Sequence, residues 1–279
     1  MAKMFTGGAD YEGFMGRHSR KLAPLFADFV QIRDHGSLLD IGCGTGSLTQ
    51  VLAERTHEAR IVGIDPSQPF VDHARARFPH DKRITIDQGS AVALPYADKS
   101  FDQSMSLLVL MFIADADKAV AEMKRVTKPD GTVAACVWHR GGHLMNSIYW
   151  EEAIKLDPAA EGSAEKLSTP YHEGKLAEQW RKQGLKDVVE TPITIQMEFK
   201  SFDDYWNPLL TGTGPSGVYT VELPEDKREN LRLALKKRHL ENRADGPYSL
   251  PARSLAVRGV VPNLFIKQEL SPASPGVVP

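Results

Sequence analysis

The sequence predicts an α/β fold, a largely parallel sheet covered by helices on both faces, and three observations predict it. Apolar runs of strand length alternate with stretches of helical periodicity from Leu22 to Trp138, and parallel strands need such helical crossovers. The first run, Leu38-Leu39-Asp40-Ile41, opens directly into Gly42, Gly44 and Gly46 at alternate positions and then into helix formers. About twenty residues further on, Arg60 to Ile64 ends in a second acid, Asp65, followed by the helix-start pair Pro66-Ser67.

The elements follow in order. Residues 1–36 form an N-terminal helical segment in which Leu22 to Ile32 has apolar residues at helical spacing. Residues 37–140 form the core. Its helices are Gln50 to Arg55, Gln68 to Phe78 and Asp117 to Val126, and its further strands are Ile84 to Asp87, Gln103 to Leu110 and, after a Pro-Asp-Gly turn, Gly131 to Trp138. The rhythm then breaks. Residues 141–183 mix aromatics with charge and close on a helix from Glu173 to Gln183 that stops at Gly184. A sixth strand is expected within 184–200 (Val188 to Phe199) and a seventh within 253–266 (Ser254 to Val261). Residues 201–252 between them are helical around a loop, Thr211 to Gly217. Residues 267–279, rich in Pro and Ser, are a flexible tail.

Composition narrows the function classes. Lys+Arg 34 against Asp+Glu 36, a net charge of -2, gives no general attraction for nucleic acid or an anionic membrane. Two cysteines, Cys43 and Cys136, make neither a disulfide framework nor a metal-ligand pattern. Leu107 to Ala114, the longest apolar stretch, is too short to span a bilayer and reads as a buried central strand. Met1 to Asp10 has too few apolar residues for a secretory signal, so a cytoplasmic protein without membrane span, metal or nucleic-acid partner is expected.

The glycine turn carries the chemistry. Glycine admits positive φ and lets a ligand approach without meeting a Cβ, while amides at the following helix start face that ligand. Asp40 beside the turn suits an ammonium or the turn's own amides, and an acid in the position of Asp65 accepts hydrogen bonds from ribose hydroxyls. The dinucleotide fingerprint needs a third glycine where Ser47 stands. The turn therefore fits a nucleoside with a cationic amino-acid tail better than a pyrophosphate.

The run Leu38 to Thr49, Asp65, the segment Gln88 to Tyr96 with Ser100-Phe101-Asp102, and Glu122 to Gly131 together resemble the successive motifs of class I S-adenosylmethionine-dependent methyltransferases. The nearest subgroup is type 11, which is ubiquinone/menaquinone-biosynthesis-like. The resemblance covers about Leu38 to Trp138 and implies a Rossmann-like, seven-stranded, mostly parallel sheet with an antiparallel C-terminal edge hairpin. It further implies helices on both faces, helical cap insertions at 141–183 and 201–252, and a lid formed by the N-terminal segment. S-adenosyl-L-methionine is the implied cofactor, S-adenosyl-L-homocysteine its product, and a small molecule the acceptor.

Site residues follow position by position. Asp40, Gly42, Cys43, Gly44 and Gly46 form the cofactor turn, with Cys43 a small packed side chain rather than a nucleophile. Asp65 and Pro66 take the ribose end. Ser90 and Ala91 match positions facing the adenine, although Ser90 replaces the family's acid, and Leu107 matches an apolar contact to the methionine portion. From the lid, Tyr11 stacks or hydrogen-bonds and Arg17 pairs with the cofactor carboxylate. His139 and His143 follow the fifth strand and are the candidates for a general base, the alternative being polar wall residues. No motif selects the acceptor: the aromatics of the cap suggest an apolar or planar molecule, the alternative being that they hold the cap to the sheet, and the subgroup resemblance implies an aromatic or quinone-like one; a homo-oligomer is neither required nor excluded. Two other readings stay open: a non-catalytic cofactor-binding protein, motivated by Ser90, and a nicotinamide-dependent oxidoreductase, disfavoured by Ser47.

Overall fold

A computed structural model describes residues 11–167, 169–241 and 243–263. Residues 1–10, the last three residues of the expected 253–266 segment and the tail 267–279 lie outside the described residues. Among those described, seven strands form one sheet in the order β3-β2-β1-β4-β5-β7-β6. The strands are β1 (Ser37–Ile41), β2 (Arg60–Asp65), β3 (Ile84–Gln88), β4 (Phe101–Leu107), β5 (Thr127–His143), β6 (Lys186–Phe199) and β7 (Tyr248–Val260). β1 to β5 are mutually parallel; β7 runs antiparallel to both β5 and β6. The mostly parallel sheet and antiparallel edge pair are those expected, with β7 inserted inside β6.

Alternation along the strands builds two cores. Leu38, Ile61, Met105, Cys136 and Trp138 point to one face, where α1 (Arg17–Val30) and α2 (Ser47–Arg55) pack. Leu39, Ile41, Val62, Ile64, Val133, Ala135 and Val137 point to the other, against Val120 and Met123 of α4 (Ala116–Val126). Val71 and Ala74 of α3 (Gln68–Arg77) meet Cys43 and Ile86 in a small third cluster. A sheet apolar on both faces needs helices on both, and the crossovers supply them.

Beyond β5 the chain builds the cap. α5 (Leu144–Leu156) and α6 (Ala160–Leu167) join α8 (Phe202–Leu209), α9 (Gly214–Glu222) and α10 (Glu225–Leu240) on the α1 side. α7 (Lys175–Lys182) instead covers the opposite face, where Trp180 is fully buried and donates from Nε1 to Val133 O at 2.9 Å. Phe199 and Tyr248, paired across β6 and β7 with rings 5.1 Å apart, anchor the cap.

Several expected elements change, and β5 takes in both the expected Pro-Asp-Gly turn and the histidines expected after the strand. β4 stops at Leu107 rather than Leu110, because Leu108 turns left-handed (φ 62°), bonds its N–H to Cys136 O, and leads into a 3-10 turn at Leu110–Phe112. Gly214 to Gly217, expected in a loop, open α9, where Pro215 fits the first helical turn. β7 begins at Tyr248 rather than Ser254. The β5 ladder ends at Ala252, so Pro251 lies past it and its missing N–H costs that ladder nothing.

Candidate active site

The turn after β1 is held by backbone bonds to β2. Gly42 and Cys43 both donate to Ile64 O, at 2.7 and 3.1 Å, and Gly46 donates to Cys43 O at 2.9 Å. Gly42, Gly44 and Gly46 all have positive φ, at 70°, 54° and 91°. Their surroundings differ. A Cβ on Gly42 would sit 2.4 Å from a methyl of Val109, and one on Gly46 2.9 Å from the Phe78 ring, whereas one on Gly44 would meet no atom within 4 Å. Gly44 is the glycine that leaves room for a ligand.

Two carboxylates bound that space. Asp65 accepts from Gly44 N at 3.0 Å and Ser67 N at 2.9 Å, tying the turn to the start of α3; burial raises its pKa while the amide bonds oppose the rise. Asp40 accepts from Thr49 Oγ1 at 2.7 Å, and its Oδ1 has no partner. Burial pushes its carboxyl up to about 7. Ser47 Oγ, at the start of α2, is also buried without a partner. An unpaired buried carboxyl oxygen, an unpaired hydroxyl and an open glycine suit the ammonium-bearing end of S-adenosylmethionine, and the residues present fit that group.

The remaining expected residues fall as follows. Cys43 is buried against β2 with its thiol pKa raised by desolvation, a packed side chain and no nucleophile. Pro66 and Ser90 are exposed beside the β2 and β3 ends, where Gly89 N donates to Asp65 O, and Ala91 is half-buried next to them. Leu107 ends β4, buried. Tyr11 sets its ring 5.3 Å from that of Phe70 on α3.

Arg17 is a correction. Its Nη1 donates to both carboxylate oxygens of Asp204 at 2.9 Å, its Nη2 to Asp204 O at 3.0 Å, and the guanidinium lies 5.1 Å over the Phe199 ring. It docks the lid on the cap. The lid charge at the glycine turn is Glu12 instead, in the π-helical turn Glu12–Gly16. Its carboxylate accepts from Thr45 Oγ1 and pairs with Arg20, while Arg77 Nη1 donates to Thr45 O at 3.2 Å. Sequence reasoning passed over Glu12 and Thr45, although one adjoins Tyr11 and the other stands inside the glycine turn.

The two histidine candidates differ. His143 Nδ1 accepts from Asn146 N at 3.2 Å and so caps α5, and burial lowers its pKa to about 4, too low for a base poised near neutrality. His139 is half-buried with Nδ1 unpartnered, pressed against Gly142. Among the described residues there is no group of three or more His, Cys, Asp or Glu that could hold a metal ion, and no helix long and apolar enough to cross a membrane.

Sheet order, glycine turn and paired acids are those of a Rossmann-like α/β core. Residues 39–135 match the family model described as a methyltransferase domain, of type 11. It is 36% identical over 150 residues to a demethylmenaquinone methyltransferase of Lactobacillus johnsonii, covering 52% of this chain and 58% of that one. A demethylmenaquinone methyltransferase of Paenarthrobacter aurescens is 28% identical over 234 residues, covering 81% of this chain and 85% of that one. The chain thus spans little more than half the length of the first of these relatives. The structure of Haemonchus contortus phosphoethanolamine N-methyltransferase 2, in complex with S-adenosyl-L-methionine, superposes with a TM-score of 0.55 at 19% identity, covering 87% of this chain and 53% of that one. That likeness concerns the fold.

Proposed function

We propose that this protein uses S-adenosyl-L-methionine to methylate a small-molecule acceptor that is aromatic and quinone-like. The observation that carries the reading is the open position at Gly44, bordered by Asp65 and followed by the unpaired Ser47, with the unpaired Asp40 oxygen at the same turn. Relatives named as demethylmenaquinone methyltransferases support the quinone-like part.

In this reading Asp40, Gly42, Cys43, Gly44 and Gly46 form the floor for the amino-acid end. Asp65 and Pro66 take the ribose, Ser90 and Ala91 flank the adenine, Leu107 meets the methionine portion and Tyr11 closes from the lid. When bound, the cofactor supplies a methyl group already activated on a sulfonium sulfur. The chain then has to hold the acceptor in line and keep water out, which an apolar cap does. A cytoplasmic location belongs to the same proposal, supported by two cysteines that are buried and free. Homo-oligomerisation is left open.

Calorimetry with S-adenosylhomocysteine tests the cofactor half: the wild type should bind, and Asp65→Ala should lose at least tenfold, about 1.4 kcal/mol. Transfer of labelled methyl to a reduced naphthoquinone tests the acceptor half. Binding without transfer would favour the non-catalytic reading, and no binding would remove both.

A further inference from the structure

Several polar atoms are buried without a hydrogen-bond partner where lid, cap and sheet meet: His18 Nδ1, His143 Nε2, Trp150 Nε1, Tyr205 OH and His239 Nε2. Buried polar groups are nearly always satisfied, so such an orphan points to a ligand that completes it. For His143 the position of the proton follows from the geometry. Its Nδ1 accepts the Asn146 amide, so that nitrogen carries a lone pair. In a neutral imidazole the other nitrogen then bears the hydrogen, and the burial that lowers its pKa keeps the ring neutral. His143 Nε2 is therefore an N–H donor with nothing to donate to, on a residue only 8% exposed.

Its location suits an acceptor site. β5 carries it past Trp138, whose ring stands edge-on at 4.8 Å, and across from Ala252 of β7. That is the carboxyl end of β5, and ligands of open α/β sheets bind at such strand ends. His18 of α1 lies near His143, and burial lowers its pKa to about 3.

We infer that His143 Nε2–H holds an oxygen of the methyl acceptor, which is consequently a carbonyl or phenolate oxygen on an otherwise apolar ring. The inference rests on the function proposed above and deepens it. A donor aimed at the acceptor attracts a partial negative charge and disfavours a cationic amine, so it selects oxygen-bearing aromatic acceptors over ammonium ones. It also changes the role of His143 from base to positioning donor, one that orients the acceptor ring through its oxygen.

Two substitutions separate this role from helix capping. Asn reproduces the Nδ1 position and caps helices well, so His143→Asn keeps the cap and loses the distant donor. Gln reaches the Nε2 position, so His143→Gln keeps a donor and loses the cap. The probes are 2,3-dimethyl-1,4-naphthoquinone, which lacks a site for thiol addition, and 2,3-dimethylnaphthalene, which has a similar shape without oxygens. Each is measured by equilibrium dialysis with saturating S-adenosylhomocysteine. The wild type should prefer the quinone about tenfold, the range of one hydrogen bond. His143→Asn should abolish that preference with naphthalene binding and melting temperature unchanged, and His143→Gln should keep the preference while melting a few degrees lower. Equal quinone affinity in His143→Asn and wild type, no preference in the wild type, or binding of neither probe overturns the inference. Cofactor-product binding, read separately by calorimetry, stays intact in each of those outcomes unless the methyltransferase reading itself has failed.

Discussion

The cofactor half and the cap treat buried polar groups in opposite ways. At the glycine turn, Asp65 is satisfied by two backbone amides, leaving Asp40 Oδ1 and Ser47 Oγ as the orphans. Where the cap meets the sheet, histidine, tryptophan and tyrosine atoms lie unpaired among packed aromatic rings. A socket whose shape comes from the backbone is formed before its ligand arrives, whereas a surface of rings with few polar atoms takes its definition from what it binds. The first reads one cofactor. The second can be retuned by single side chains without disturbing the fold.

Glycine substitutions offer the largest break between socket shape and socket occupancy. Gly42→Ala places a Cβ against the branched Val109 side chain and holds alanine at φ 70°. Left-handed strain of about 1–2 kcal/mol and overpacking of similar size should together destabilise the protein by about 3 kcal/mol. Gly44→Ala carries only the backbone strain, because its Cβ meets nothing. It should melt a few degrees below the wild type, well above Gly42→Ala, and yet lose cofactor-product binding. Adding Val109→Ala should recover part of the Gly42→Ala loss and none of the Gly44→Ala binding defect, as denaturant melts and calorimetry would report. Similar affinity in Gly44→Ala and wild type would mean that the open position is not the ligand's.

Asp40 sharpens the comparison through pH. Its carboxyl titrates near 7 when folded against an ordinary value of 3.8, so the folded protein binds that proton more tightly than the unfolded chain. The stabilisation is complete below about pH 4 and is lost as pH rises towards 7. Asp40→Asn should flatten the stability profile between pH 5 and 7.5. An ammonium beside Asp40 favours its ionised form, so affinity for S-adenosylhomocysteine should rise from pH 6 to 8 in the wild type and stay level in Asp40→Asn. A wild-type affinity that is independent of pH would separate Asp40 from the cofactor and leave it a capping acid for Thr49.

The two halves were also unequally legible. β1, β2, the glycine turn and Asp65 could be read because strand, turn and helix start are local events, each written in a few adjacent residues. The cap could not. Gly214-Pro215 has the composition of a loop and the conformation of a first helical turn, and Pro251 hides six residues of β7, since only the end of the β5 ladder decides that a proline fits there. Leu108 looks like more strand, and its left-handed turn is fixed by Cys136 across the sheet. Arg17 is the conspicuous cation of the lid, which suggests a cofactor carboxylate as its partner; Asp204 lies 187 residues away, a separation that no local pattern encodes. Glu12 was passed over for the same reason, as its meaning depends on Thr45.

Arg17 provides the smallest effect and the most direct contrast between the halves. Both partners are partly exposed, 24% for Arg17 and 28% for Asp204, so solvent screens the pair. The several hydrogen bonds and the Phe199 contact raise it above a simple surface pair, to about 1 kcal/mol. Arg17→Ala should therefore lower the melting temperature by a few degrees and leave cofactor-product affinity unchanged, because the residue docks the lid on the cap. Glu12→Gln should do the reverse, changing affinity through Thr45 and Arg20 with little loss of stability. Asp204→Asn should match Arg17→Ala in a melt, and the double substitution should cost little more than either alone. A tenfold loss of affinity in Arg17→Ala, with Asp204→Asn at wild-type affinity, would return Arg17 to the cofactor and make its cap contact a resting position of the lid.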